Sequence, residues 1–395
     1  MPFRSICKCI QYAWERQPRG SWKTCLSLKT TGILPCDTLS PGVTMVEIDG
    51  SSGEGGGQII RTALSLSVLS GRPFHIRNIR KNRLKPGLRA QHLAAVRALK
   101  AISDARVEGD ALDSAELRFQ PSRLKGGTYR FDIGTAGATT LILQTLLPPL
   151  IFADRESRLV LTGGTHVPIS PPFDFIQHVF LPALAMSGVR ASASIKIYGF
   201  YPRGGGEVEV RVRPHLDGPL TALVFPEKKG VSRIKGVSAV ANLPLSITER
   251  QKNSALGILR GTSAMGEIET RSVPSPGRGT FLFLKAEGAT CGAGFSSIGI
   301  RGKRAESVGA EAAEALLSYV NDDGCLDPHL SDQIVLYLAL AAGRSVFTTT
   351  RITSHLVTNM EVIKGFLDAG YEVEGEPGSP GKVSVTGVGY HREGT

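Results

Sequence analysis

What the chain lacks narrows its reading first. No stretch of about 18 apolar residues occurs, so a membrane-spanning helix is not expected. The longest apolar run, residues 141–152, is interrupted by Gln144, Pro148 and Pro149. Cysteine is scarce, six in 395 residues, and four of them (Cys7, Cys9, Cys25, Cys36) precede Met45. The other two, Cys291 and Cys325, suit inert thiols in a reducing compartment, the nucleus or cytoplasm. No Cys-x-x-Cys pair exists and no histidine follows at zinc-ligand spacing, which removes a zinc site. A glycine loop is present, but no Lys-Ser/Thr follows it as in a P-loop, nor does it form a Gly-x-Gly-x-x-Gly fingerprint. The Lys-x-Asp-Gly motif of lysine-based nucleotidyl transfer is missing, and so is a paired His-x-His phosphoesterase pattern.

What is present is a basic body of substantial size. With 41% hydrophobic residues the chain can bury a large core and hold two domains or more. Net charge is +11, which favours a polyanionic partner and says nothing about fold. Residues 1–44 hold six of the 46 basic and two of the 35 acidic residues, so +7 remains without them. This leader lacks sustained periodicity and a clear amphipathic helix, so it reads as a dispensable, disordered arm rather than a transit peptide. The densest charge lies at Arg77, Arg80, Lys81, Arg83, Lys85, Arg89, Arg97 and Lys100, with no acid from Phe74 to Ser103. A strand over 74–80, a turn at Lys85-Pro-Gly87 and a helix to about 102 would make that run a phosphate-docking corner. The competing reading is a solvated basic face; Arg97 and Lys100 fall there most naturally.

One local grammar recurs: strand, loop of small residues, helix. It opens at residues 46–49 with Asp49-Gly-Ser-Ser-Gly-Glu-Gly-Gly-Gly-Gln-Ile-Ile-Arg61 and a helix to about 70. It returns at 128–133 before Gly134-Thr-Ala-Gly-Ala-Thr-Thr140, and at 157–162 before a loop containing Pro171 and a helix over 173–187. The fourth example is 346–352 before Thr353-Ser-His-Leu-Val-Thr-Asn-Met-Glu-Val-Ile363. The spacing predicts repeated units over 45–130, 131–215 and 321–395, interrupted by a small α+β insert over 219–320. In the insert, strands over 234–240 and 280–286 flank a helix near 247–259, and Gly/Ser/Pro-rich stretches fill 272–279 and 288–302.

The stretch around His355 is the candidate for the chemistry, the competing reading being a surface or core-edge histidine at a helix start. Leu356, Met360, Ile363 and Leu367 recur at helical spacing, and Thr353 or Ser354 can cap the helix. His355 then sits in the first turn, facing unpaired N–H groups and the positive end of the helix dipole. Both disfavour imidazolium and leave a neutral, nucleophilic ring beside a natural phosphate site.

Ser354-His-Leu-Val-Thr-Asn-Met-Glu-Val-Ile363 resembles the active-site signature of the RNA 3′-terminal phosphate cyclases. So do Gly53-Glu-Gly-Gly-Gly-Gln58, Arg83-Leu-Lys-Pro-Gly-Leu-Arg-Ala-Gln-His-Leu93 and Gly199-Phe-Tyr-Pro-Arg-Gly-Gly-Gly206, and the likeness runs from Val46 to about Tyr390. The resemblance implies an α+β fold of three βαβαββ-like units with an inserted domain. It implies ATP-dependent conversion of RNA 3′-phosphates to 2′,3′-cyclic phosphates through AMP carried on His355. Glu54 would lie beside a divalent cation, Mg²⁺ or Mn²⁺, and Arg61, Arg80, Arg83, Gln91 and His92 would line the phosphate and RNA rim. ATP contacts fall on Gln144, Pro171, His329, Leu330, Ser331, Asp332 and Gln333. Two departures stand out: His329 replaces the usual tyrosine, and Tyr198 stands where many relatives carry Arg or His. The alternative reading is the cyclase-like protein of ribosome biogenesis, which shares the fold and lacks the histidine. A non-enzymatic RNA-binding module, resting on charge alone, is the other. The expected partner is RNA with a 3′-phosphate end, with no membrane contact.

Overall fold

The computed structural model describes residues 14–16, 22–24, 44–262, 264–288 and 292–392. Most of the leader, and with it the expectation of a disordered arm, lies outside the described residues. Two short strands are described there, β1 (Trp14–Arg16) and β2 (Trp22–Thr24), paired antiparallel.

The first unit runs β3 (Val46–Asp49), α1 (Gly57–Ser70), β4 (Phe74–Arg77), α2 (Ala90–Ser103), β5 (Arg106–Glu108) and β6 (Leu117–Gln120). Its sheet is ordered β3-β4-β6-β5. β3 and β4 are parallel and the other pairs antiparallel. A parallel pair cannot be closed by a hairpin, so α1 serves as the crossover, and its N-terminus stands at the C-terminal end of β3. The second unit repeats this with β7 (Thr128–Asp132), α3 (Thr139–Ile151), β8 (Ser157–Gly163), helix α4 (residues 173–185, π-helical over Ile176–Phe180), β9 (Arg190–Ile197) and β10 (Gly206–Arg213). The order β7-β8-β10-β9 is the same.

β11 (Val224–Phe225) is followed by the insert: β12 (Arg233–Ala241), α5 (Ser246–Ile258), β13 (Met265–Ser272), β14 (Gly279–Glu287), β15 (Ala293–Ile298) and α6 (Ala305–Val320). Then come α7 (Pro328–Leu340), β16 (Ala342–Thr349), α8 (Ser354–Lys364), β17 (Gly370–Glu374) and β18 (Gly381–Val388). Their sheet reads β11-β16-β18-β17, with β2 and β1 beyond β17. Here β11 is parallel to β16, as β3 is to β4. The third unit therefore takes its first strand from within the span the sequence assigned to the insert.

Helices of the three units pack on one another, α1 against α2, α3 and α8, and α7 against α8. Their shared core includes Ile59, Leu64, Leu99, Leu146, Leu150, Ile334 and Ile363, all essentially without exposure. Each such side chain stabilises the fold by roughly 1.5–3 kcal/mol through burial alone. The insert has a second core between its sheet and α5 and α6, including Ile234, Leu259, Leu284 and Leu316.

Two elements differ from their sequence expectation for local reasons. β4 stops at Arg77 rather than residue 80, because Asn78 and Arg80 adopt positive φ (55° and 53°), which no strand accommodates. β15 forms inside a glycine- and serine-rich stretch because the insert sheet closes on α4 there. A Cβ on Gly294 would lie 2.8–3.0 Å from Val179, Phe175 and Phe283. Small residues are what let the two surfaces meet.

Candidate active site

The first turn of α8 is built by Thr353. Its hydroxyl accepts from Leu356 N at 3.0 Å and donates in a short bond to the Asp332 carboxyl of α7. This cap places His355 second in the helix, with its side chain about half exposed. The loop before α1 supplies its partners. Gln58 Nε2 donates to the His355 carbonyl at 3.4 Å, which turns Gln58 Oε1 towards the imidazole Nδ1 in close contact. Glu54 Oε2 lies 3.4 Å from the same Nδ1. Two oxygens at Nδ1 keep the proton there and leave the lone pair on Nε2. Burial lowers the His355 pKa, helped by Arg61, His329 and Arg83 and opposed by Glu54. The shift favours the neutral ring near pH 7, with burial rather than helix position as its largest cause.

Glu54 is itself held from three directions. Arg83 donates to its carboxylate and to its backbone carbonyl, both at 2.8 Å, and Glu54 N donates to Thr358 Oγ1 at 3.2 Å. The glycines of the loop make this packing possible. A Cβ on Gly56 would fall 2.0 Å from Glu54 Oε1, and one on Gly57 would fall 2.2 Å from His92 Nε2. His92 is buried and accepts from Arg89 N at 3.1 Å through Nδ1, so its own proton sits on Nε2 beside Gly57. Burial, then Arg61, Arg80 and Arg89, push its pKa down to about 3. Arg61, one turn into α1, is brought by burial to about 10, against the attraction of Glu54, and remains a cation.

The structure thus gathers Glu54, Arg61, Arg83, His92 and His355 at the meeting of α1, α2 and α8. Gln91 bridges onward, its Oε1 accepting from Ala138 N at 2.9 Å before α3. Arg80 is turned partly inward, donating to the carbonyls of Lys85 and Gly87 at 2.8 and 3.0 Å, so it shapes its loop as well as charging it. Gln144 finds its partner in Gln333 across α3 and α7. The Pro171 carbonyl accepts from Thr140 Oγ1 at 2.8 Å. His329 is exposed at the start of α7, its ring edge-on to Phe175 at 6.5 Å. Leu330 and Ser331 are wholly buried, with Ser331 Oγ donating to Pro328 O, so their side chains serve the core. Asp332 is nearly buried, and burial raises its pKa to about 8, with Thr353 lowering it and Asp327 raising it.

Gln58, Thr358 and Asn359 were not singled out from sequence. Gln58 stands in the glycine run, where its identity gave no sign of its reach. Asn359 links three elements: it accepts from Thr62 Oγ1 and donates to the Asp332 carbonyl, both at 2.7 Å. The diagnostic Gly-Gly-Gly turn has a supporting place. A Cβ on Gly204 would strike Ala136 at 2.8 Å, so that turn underlies the loop leading into α3.

Among the described residues no three His, Cys, Asp or Glu side chains cluster as a metal cage. A single carboxylate at Glu54 suits Mg²⁺, which binds one or two carboxylates and completes its octahedron with phosphates and water. None of the described helices is long and apolar enough to cross a membrane.

The sequence profile of the RNA 3′-terminal phosphate cyclases matches residues 52–373. A protein of that name from Archaeoglobus fulgidus is 45% identical over 84% of this chain and 98% of its own length. One from Ignicoccus hospitalis is 43% identical over 88% and 100%. One from the bacterium Methylococcus capsulatus is 46% identical over 82% and 91%. The glycine loop, the basic corner and the histidine helix all lie within the matched span, and the chain belongs to the RNA 3′-terminal phosphate cyclase family.

Proposed function

We propose that this protein converts RNA 3′-phosphate ends to 2′,3′-cyclic phosphates at the expense of ATP, with AMP carried on His355. The observation that carries the reading is the held imidazole: Nδ1 bound to Gln58 and beside Glu54, Nε2 left with its lone pair. In the first step His355 Nε2 attacks the α-phosphorus of ATP, forming an N–P bond as the α–β bridging P–O bond breaks. Pyrophosphate leaves with the electron pair, and the role of Arg61 and Arg83 is to neutralise it. When bound, a divalent cation, Mg²⁺ or Mn²⁺, held by Glu54 would supply Lewis-acid neutralisation of the triphosphate.

In the second step an oxygen of the RNA 3′-phosphate takes AMP from His355, creating a phosphoanhydride and restoring the neutral ring. In the third, the neighbouring 2′-oxygen attacks the 3′-phosphorus, AMP departs, and the hydroxyl proton goes to solvent. The 2′-hydroxyl is already adjacent, with an effective molarity on the order of 10⁵ M or more, so this closure asks little of the protein. DNA lacks that nucleophile and is not a substrate.

ATP is assigned to the space bounded by Gln144, Pro171, His329 and Gln333, with the Leu330–Ser331 backbone and buried Asp332 forming its support. RNA and phosphate are assigned to Arg61, Arg80, Arg83, Gln91 and His92. Support for the enzyme over the histidine-lacking ribosome-biogenesis relatives is His355 itself. The test uses 5′-labelled RNA bearing a 3′-phosphate: with ATP and Mg²⁺ its end should become resistant to phosphatase. An end that stays phosphatase-sensitive would remove the cyclase reading.

A further inference from the structure

A groove of about 670 Å³ lies on the far side of α2 from His92, and none of its lining residues belongs to the site described above. Ala90, Leu93, Ala94 and Arg97 line one wall, spaced as a single helix face. Strand β7, an edge strand, supplies the other with Arg130 and Phe131, and Ile133 follows it. Asp110 and Leu112 lie along the rim. The groove's walls are tied to the site through the first turn of α2. The same first turn of α2 sends His92 to Gly57 and Gln91 to Ala138, while a Cβ on Gly137 would touch both Ile133 and Gln91.

Its chemistry is that of a nucleotide-binding surface. Phe131 presents a half-buried ring stacked on Tyr129 at 5.8 Å and 8°, and the facing wall is aliphatic. Of the acids, Asp110 faces Lys100 at 3.8 Å, while Asp132 accepts from Gly134 N at 2.8 Å and keeps its charge. Arg130 is paired to Glu207 yet two-thirds exposed. Arg97 is exposed with no acidic partner among the described residues, so its guanidinium is available to a phosphate. An aromatic plane, an apolar wall and unpaired guanidinium together suit unstacked bases and the phosphates joining them.

We infer that this groove takes the nucleotides of single-stranded RNA that precede the reactive 3′ end. Arg97, which the sequence alone places on a solvated face, becomes a phosphate contact, and Phe131 and Leu112 become base contacts. The inference rests on the reading that the chain acts on RNA ends, and the experiment separates the two.

Arg97→Glu and Leu112→Asp alter exposed side chains, Leu112 being 58% exposed, and leave the core intact. Affinity for a decaribonucleotide ending in a 3′-hydroxyl is measured by fluorescence anisotropy, alongside AMP labelling of the protein by ATP without RNA. Each variant should bind the RNA about tenfold more weakly, in line with loss of one stacked base or one phosphate contact, and label at the wild-type rate. Wild-type RNA affinity in either variant, with wild-type protein active as a cyclase, overturns the groove alone. Wild-type protein that neither labels nor binds the decamer overturns the groove and the cyclase reading together.

Discussion

At the scale of single residues the account turns on two protonation states. Burial lowers the His355 pKa, so the neutral nucleophile persists below the ordinary histidine value of 6.5. AMP labelling by ATP should therefore stay level from about pH 8 to pH 6.5 and decline only in more acid solution. A decline already centred near 6.5 would mean that the ring is not protected. Asp332 behaves oppositely. Its folded pKa is raised to about 8 from 3.8, so its favourable contribution is complete below about 4 and is lost as pH climbs through 8. Asp332→Asn keeps an acceptor for Thr353 and removes the buried charge. Without nucleotide, the variant should gain about 1–3 kcal/mol over wild type at pH 8, with little difference at pH 4, by urea denaturation. Equal effects at both pH values would show that the carboxyl is not protonated in the fold. His355 was legible as a helix-start nucleophile because its cap and its periodicity are local. Gln58 was not, because its partner lies 297 positions away and only the packing of α1 on α8 reveals it.

At the scale of elements, the glycine loop before α1 shows what sequence can and cannot say. Glycines let a backbone approach closely, but a run of them taken alone fits a tight turn better. The structure gives the specific cause at Gly57, where His92 occupies the space of a methyl group. Gly57→Ala should displace a ring that Arg89 N holds in place, costing about 1–3 kcal/mol and lowering AMP labelling at least in proportion. Gly257, an exposed position in α5 with nothing near its missing Cβ, is the control: Ala there should stabilise by about 0.5–1 kcal/mol. Matching behaviour of the two variants in thermal melts and labelling would remove the steric explanation of the loop. Strand β15 was illegible for the reverse reason: its glycine and serine residues answer to α4, not to strand propensity.

At the scale of the whole molecule, three sheets share one strand order, and the repeat was visible as strand, small-residue loop and helix recurring along the chain. The insert hides the third copy, because β11 is only two residues long and stands before the interruption. The same architecture brings the starts of α1, α2 and α8 together, which is why a site scattered over some 300 positions converges. The leader's described strands reach the third sheet through a single pairing, Trp22 opposite Val373. A chain beginning at Met45 should keep its melting temperature and its RNA turnover within error; a fall of several degrees would show that the leader is part of the fold.

The most direct measurement of the central claim is incubation with ATP labelled at the α-phosphate, in Mg²⁺ and without RNA, followed by denaturation and peptide mapping. The account predicts an acid-labile AMP adduct on the peptide containing His355, chased from the protein by RNA 3′-phosphate, and no adduct in a folded His355→Ala variant. Label retained at wild-type level by His355→Ala, or a wild-type protein that cyclises RNA without ever becoming labelled, would contradict it.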